Sequence, residues 1–249
     1  GSIDVELLVD EKNESMILGQ GLVVCEGGTE FRAVPLEKTA EGVLRARLST
    51  AGGEARIASR YPYGRDGLDA LLCEASAAGS GLRWRLLRRG HRALPLAEFG
   101  EDDGRRPVHY FLAAEDAWET AGSWVADEMV RELSRGGPVT EKLAAASLVR
   151  IAPLVSPYSA AREAGSYRTL AGERIYGAAT WGDAEPPPDY AMLRDLVEGT
   201  IRQSRLGCMM TIHSWQASRD FTELATIRTA GENSLSESRS AWAREGMAR

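Results

Sequence analysis

The chain divides into two stretches of different periodicity. Over residues 3–7, 19–25, 31–36 and 43–48, short apolar spans are separated by turns rich in Gly and charge. Short spans with period two mark half-buried strands. Residues 1–58 therefore read as a small all-β domain with no helix. At Tyr61-Pro62-Tyr63 the pattern changes, and from there helical and strand spacings alternate over 59–249. Residues 65–78 carry Leu68, Leu71 and Leu72 on one helical face, and 123–133 carry Trp124, Val125, Met129, Val130 and Leu133. A third helix is predicted over 190–202. Residues 82–87 and 94–99 read as a strand pair, and the apolar runs 108–114, 148–155 and 208–212 as buried strands. Residues 156–190 read as irregular, with a last strand over 221–227 and a last helix over 236–247. The alternation predicts an α/β fold, a mixed sheet flanked by helices, preceded by the small β domain.

Three of the apolar strands end in polar clusters: 113–119, 156–158 and His213-Ser214. In open α/β sheets, ligands bind beyond the carboxyl ends of the strands. That rule brings Asp116, Glu119 and His213 to one crevice. Asp116 and Glu119 stand three residues apart between a strand and a helix, so one turn can aim both carboxylates at a point. Two ligands close in sequence plus one distant His is the arrangement of many catalytic zinc sites. The same residues have a plainer reading, in which the carboxylates stabilise a helix N-terminus and His213 is bonded to backbone at the edge of the core.

Composition narrows the choices. The 249 residues are 43% hydrophobic and 27% charged, which suits a globular protein. A net charge of −6 and a basic run over 84–92 with little aromatic interleaving argue against nucleic acid as a partner. No run is apolar enough to span a membrane, and no signal peptide opens the chain. Cys25, Cys73 and Cys208 are too scattered for a disulfide framework and point to a reducing, cytoplasmic setting. Three His exclude any site that spends more than three, and three Cys exclude a four-Cys zinc site. Phosphate-loop, dinucleotide and serine-elbow motifs are absent. The prolines of 185–189 read as a stiff connector ahead of a helix.

Several segments, in order, resemble the zinc carboxypeptidase family, most closely its cytosolic branch. Tyr61-Pro62-Tyr63 and the Leu-bearing helix after it resemble the start of the catalytic domain. Residues 113–124 are similar to the family's His-x-x-Glu segment with its trailing Ser-Trp. Residues 151–159 resemble the strand that ends in Asn-Pro-Asp-Gly, here Ser156-Pro157-Tyr158-Ser159. Residues 165–172 match Gly-x-Tyr-Arg-x-x-x-Gly, and Thr211-Ile212-His213-Ser214 matches the strand that bears the last zinc ligand.

The resemblance implies zinc held by Asp116, Glu119 and His213, with Asp116 standing where the family has a His. It implies Arg168 as the group that polarises the scissile carbonyl. It implies Glu223 as the general base, although Glu223 follows His213 at short range and the short C-terminal stretch implies a deletion or truncation there. The family's Asn-Arg grip for a terminal carboxylate is replaced by 173–180, where Arg174 and Tyr176, with Tyr158, are the candidate substrate-binding residues. Asp116, Glu119 and His213 would formally neutralise Zn²⁺, giving a weaker Lewis acid than a site with one carboxylate. The expected activity is metal-dependent hydrolysis of an amide bond, in a peptide or a small acylated amine, with non-classical specificity. The alternatives are an inactive pseudo-carboxypeptidase that binds a partner, or a non-hydrolytic enzyme reusing the pocket. The tag-like Gly1-Ser2 adds nothing to this reading.

Overall fold

The computed structural model describes residues 2–9, 14, 18, 21–26, 30–40, 42–49, 55–58, 60–78, 81–115, 119–156, 167–168, 174–175 and 186–213. Six strands come first: β1 (Ser2–Leu8), β2 (Leu22–Glu26), β3 (Arg32–Val34), β4 (Glu37–Ala40), β5 (Val43–Ser49) and β6 (Ala55–Ala58). They form two antiparallel sheets, ordered β1-β5-β4 and β3-β2-β6. Leu22, Val24, Val34, Leu36, Leu44, Ala46 and Leu48 form a shared core, with alternate residues turned inward as period two requires. Outside that core, Arg45 reaches Glu6 at 2.6 Å and Arg47 reaches Asp4 at 2.9 Å across the β1–β5 pair.

Next come helix α1 (Arg65–Ala77), strands β7 (Leu82–Arg89), β8 (Arg92–Phe99) and β9 (Val108–Ala113), and helices α2 (Thr120–Arg135) and α3 (Pro138–Ala146). Strand β10 (Leu148–Ala152), the two-residue strands β11 (Tyr167–Arg168) and β12 (Arg174–Ile175), helix α4 (Pro188–Arg202) and strand β13 (Leu206–Ile212) follow. The main sheet is ordered β13-β9-β10-β8-β7. β13, β9 and β10 run parallel, while β8 is antiparallel to both β10 and β7. This is the mixed, helix-flanked α/β sheet expected from the pattern. The basic run 84–92 lies in the β7–β8 hairpin, whose turn uses Gly90 at φ +58°.

Helix α3 has no counterpart in the hydrophobic pattern. None of its residues is buried, so no apolar stripe marks it. Its signal is Pro at the first turn, where a missing N–H costs nothing.

The strands alternate their side chains between two helical layers. Tyr110 and Leu112 of β9 pack with Tyr190, Leu193 and Val197 of α4. Ala113 of β9, with Val149 and Ile151 of β10, packs against Leu71 of α1 and Ala126 and Val130 of α2.

On the α4 side a charge breaks the apolar rule. Arg150 is 3% exposed at the middle of β10. Its register partners are Glu98 on β8 and Tyr110 on β9. The guanidinium donates to Glu98 Oε1 at 2.8 Å, to Tyr110 Oη at 2.8 Å and to Asp102 Oδ2 at 3.0 Å. Arg205 grips the other oxygen of Asp102 at 2.7 Å, and Tyr110 shares a 2.7 Å hydrogen bond with Thr200 of α4. Burial works to raise the Asp102 carboxyl, but the bond from Arg205 and the charge of Arg150 outweigh it and hold it below its usual range.

Removing one member of a buried charged network strands the others. Arg150→Met should lower the unfolding free energy by about 3–5 kcal/mol. Urea unfolding checks this. A loss below about 1 kcal/mol would show that water already solvates the cluster.

A second buried charge sits at the start of α4. Asp189 is fully buried, and its nearest cation is Arg92 at 3.7 Å. Burial lifts its carboxyl to about 6, against the opposing pull of Arg92 and His91. The folded state therefore holds the proton more tightly than the unfolded chain does between about pH 4 and 6. Stability should rise as pH falls through that window, by roughly 3 kcal/mol from this group. Asp189→Asn should flatten the slope in a series of denaturation curves from pH 7 to pH 4. An unchanged slope would remove Asp189 as its source.

Candidate functional site

Glu119 and His213 meet at the carboxyl ends of β9 and β13, as the crevice rule requires. Glu119 stands at the residue just before α2 and is buried, while His213 directly follows β13. Glu119 Oε2 lies 2.5 Å from His213 Nδ1. The imidazole keeps about a third of its surface exposed, with Nε2 on its other side.

One glycine permits this meeting. A Cβ on Gly122, in the first turn of α2, would lie 2.2 Å from the carbonyl oxygen of Ile212. Only a residue without a side chain lets the helix start rest against the end of β13. Gly122→Ala should push the two apart and cost about 1–3 kcal/mol, as overpacking does. Gly199→Ala is the control. A Cβ there meets only the tip of Arg202 at 3.9 Å, so the change should stabilise α4 by about 0.5–1 kcal/mol. Thermal unfolding of the two variants checks the contrast, and equal effects would sink the packing account.

A second carboxylate joins the pair. Glu115 is 2% exposed, and its Oε2 faces His213 Nε2 at 3.9 Å. Its segment is held by its own backbone. The carbonyl of Glu115 accepts a hydrogen bond from Ser156 Oγ at 2.9 Å and another from the Tyr190 hydroxyl. Ala114 just before it adopts φ +51°, an unusual conformation for a residue with a side chain. The chain beyond β10 stays paired to it, with Val155 N–H donating to the Ala113 carbonyl at 2.9 Å. Ser156, at the position that resembles the family's Asn, is thus fully buried and braces this turn.

The floor and flank are built by the Tyr-Pro-Tyr segment. Tyr63 packs with Leu68, Ala114 and Leu154 beneath the site. Its ring stands edge-on to Trp124 of α2, with centroids 5.1 Å apart. Its hydroxyl donates to Asp127 Oδ2 at 2.9 Å, and Arg131 donates to the other oxygen at 2.5 Å. Burial, then the charge of Asp127, pushes the Tyr63 phenol well above its usual range. Burial also raises the Asp127 carboxyl, with the bond from Tyr63 opposing. Burial pulls the pKa of half-buried Arg60 down, and the charge of Glu119 opposes that pull.

Of the residues singled out from the sequence, Glu119 and His213 are brought together across the fold. Asp116, Tyr158, Tyr176 and Glu223 lie outside the described residues. Arg168 and Arg174 are backbone register partners in the β11–β12 ladder. Glu115 and Arg60 were not singled out. Glu115 carries a usable signal, an acidic residue directly after an apolar strand, but Asp116 beside it offers the same one. Nothing in the local pattern marks Arg60.

Among the described residues, no three metal-binding side chains cluster. The donor types nonetheless suit zinc: one imidazole nitrogen and carboxylate oxygens. Nε2 of His213 and Oε2 of Glu115 are separated by 3.9 Å, a gap that two donors at roughly 2.0–2.2 Å from one cation can span. Glu119 on Nδ1 then stands where metal-bound His residues find an orienting carboxylate.

Neither family models nor curated proteins match the chain. Solved structures do. A candidate carboxypeptidase A from Shewanella denitrificans aligns with a TM-score of 0.72 at 15% identity, covering 87% of this chain and 57% of that one. A metallo-carboxypeptidase from Burkholderia cenocepacia gives 0.70 at 17% identity, over 86% and 58%. One from Pseudomonas aeruginosa, in complex with (2-guanidinoethylmercapto)succinic acid, gives 0.63 at 16%, over 87% and 60%. The fold is that of the zinc carboxypeptidases, and the chain spans under two thirds of the length of these proteins.

Proposed function

We propose that the protein is a metal-dependent hydrolase of an amide bond, in a peptide or a small acylated amine, with non-classical specificity. The observation that carries this is the convergence of Glu119, His213 and Glu115 at the strand ends of a carboxypeptidase fold. Zinc is the cation this reading assigns, to be held by His213 with Asp116 and Glu115 as the available carboxylates and Glu119 orienting the imidazole. When bound, zinc polarises a carbonyl and lowers the pKa of water.

The chain's own contributions follow from its contacts. In this reading Glu119 accepts a hydrogen bond from His213 Nδ1–H, which sets the tautomer and turns Nε2 toward Glu115. Ser156 and Tyr190 hold the Glu115 backbone, so its carboxylate keeps its distance from the imidazole. In this reading Arg168 stabilises the oxyanion, Glu223 takes the proton from water, and Arg174, Tyr158 and Tyr176 shape substrate selection. The surplus of carboxylates weakens the Lewis acid, which suits an activated or small acyl substrate better than an ordinary peptide end. A reducing, cytoplasmic setting belongs to the same proposal and is supported by three cysteines that form no disulfide.

A second reading draws on the 2.5 Å bond between Glu119 and His213. That bond satisfies both groups without a cation, as in a pseudoenzyme that only binds. Metal content separates the two. Purified protein supplied with zinc should retain close to one equivalent by elemental analysis, and His213→Ala should lose it. Glu119→Gln should weaken zinc binding by about 10–100-fold if it orients the imidazole. No zinc in the wild type after supplementation would overturn the hydrolase and leave the binding reading.

A further inference from the structure

Two buried glutamates reach the His213 ring from different elements. Glu115 comes from the turn after β9, and Glu119 from the residue before α2. Glu119 Oε2 lies 2.5 Å from Nδ1, and Glu115 Oε2 lies 3.9 Å from Nε2. Like charges gathered around one small ring repel, and more strongly in a buried setting than in water. Both arms must therefore be held by something stiffer than the pair itself.

One side chain joins the supports of both arms. Tyr63, 3% exposed, packs in one cluster with Leu154 and with Ala114, the residue before Glu115. The same ring stands edge-on to Trp124 of α2, five residues after Glu119. Helix α1 rests directly on it as well, since a Cβ on Gly67 would lie 3.4 Å from the ring. Arg60, three residues before Tyr63, lies near enough to Glu119 to feel its charge.

The hydroxyl makes this support directional. It donates to Asp127 Oδ2 at 2.9 Å. Asp127 is 3% exposed, and its other oxygen accepts from Arg131 Nε at 2.5 Å. Arg131 in turn pairs with Glu74 of α1. A bond to a carboxylate is stronger and shorter than one between neutral groups. An acceptor already gripped by Arg131 also cannot swing to follow its donor. Ring packing alone would let α2 slide along the floor, whereas the hydroxyl fixes one position of the helix. We propose that Tyr63 is a positioning residue: through its ring and its bond to Asp127 it sets the start of α2 against the Glu115 turn, and so holds Glu119 and Glu115 on the two nitrogens of His213. The proposal concerns this geometry as it stands without a cation. It deepens the hydrolase reading, and rests on it, only in that a metal centre needs its groups held in place by supporting residues.

The test reads the full chain by NMR without added metal. The His213 Nδ1 proton, in its 2.5 Å bond to Glu119, should resonate downfield of the amide protons and vanish in His213→Ala. Tyr63→Phe keeps the ring and removes the hydroxyl. It should move that signal upfield and speed its exchange with water about tenfold. Asp127→Asn still offers Tyr63 an oxygen and should keep the signal near its wild-type position. Leu133→Ala is the control for lost stability. Leu133 is buried at the far end of α2 in a different cluster, so the change opens a cavity away from Tyr63. A His213 signal unmoved by Tyr63→Phe would overturn the proposal. An equal shift in Leu133→Ala would overturn it too, by making the effect one of general loosening. So would the lack of any such signal in the wild type, since there would be no held pair to position. A wild-type chain that binds no zinc would end the hydrolase reading and leave these outcomes as they stand.

Discussion

A guanidinium buried in the middle of a sheet is the constraint from which the rest follows. Arg150 has its donors distributed to Glu98, Tyr110 and Asp102, on two neighbouring strands and the loop after β8. No other alignment of β8, β9 and β10 satisfies all three. Slipping a strand by one residue would turn its whole apolar set to the wrong face and would leave a buried charge without partners, which costs several kcal/mol. Tyr110 passes the constraint to α4 through Thr200, and Asp102 passes it to the start of β13 through Arg205. One charged cluster thus fixes the register of the strands and the seat of the helix behind them.

Fixed register at one end of a sheet becomes fixed geometry at the other. β9 and β13 are aligned from Val108 opposite Leu206 to Ala113 opposite Ile212, so Glu115 and His213 emerge side by side. Gly122 then lets α2 begin against the carbonyl of Ile212, which carries Glu119 onto the imidazole. The positive φ at Ala114 and the two hydroxyls on the Glu115 carbonyl hold the intervening turn. The site is therefore supported from below by packing and from the side by hydrogen bonds, as a preorganised centre needs.

The electrostatics of that centre are dominated by carboxylates. Two buried glutamates flank one imidazole, and Asp116 adjoins them in sequence. A centre so rich in carboxylate binds a cation readily but activates a carbonyl less strongly. Arg60 adds a positive charge beside Glu119 that offsets part of this.

Much of this was legible in the sequence. Period-two spans marked the early strands, and apolar runs ending in acid or His marked the strand ends where Glu119 and His213 stand. Helix α3, with no buried face, left no pattern to read. Glu115 and Asp116 could not be told apart, because adjacent residues at a strand end share the same local signal, and only the backbone turn at Ala114 selects which carboxylate faces His213. Arg60 was invisible for a related reason: its partner Glu119 is distant in the chain. The amino-acid order by itself determined the periodicities, the acidic, His-poor chemistry and the order of elements. The tertiary structure decided the pairings, because a 2.5 Å bond between residues on separate elements depends on registers and close approaches that arise only when the sheet and its helices pack together.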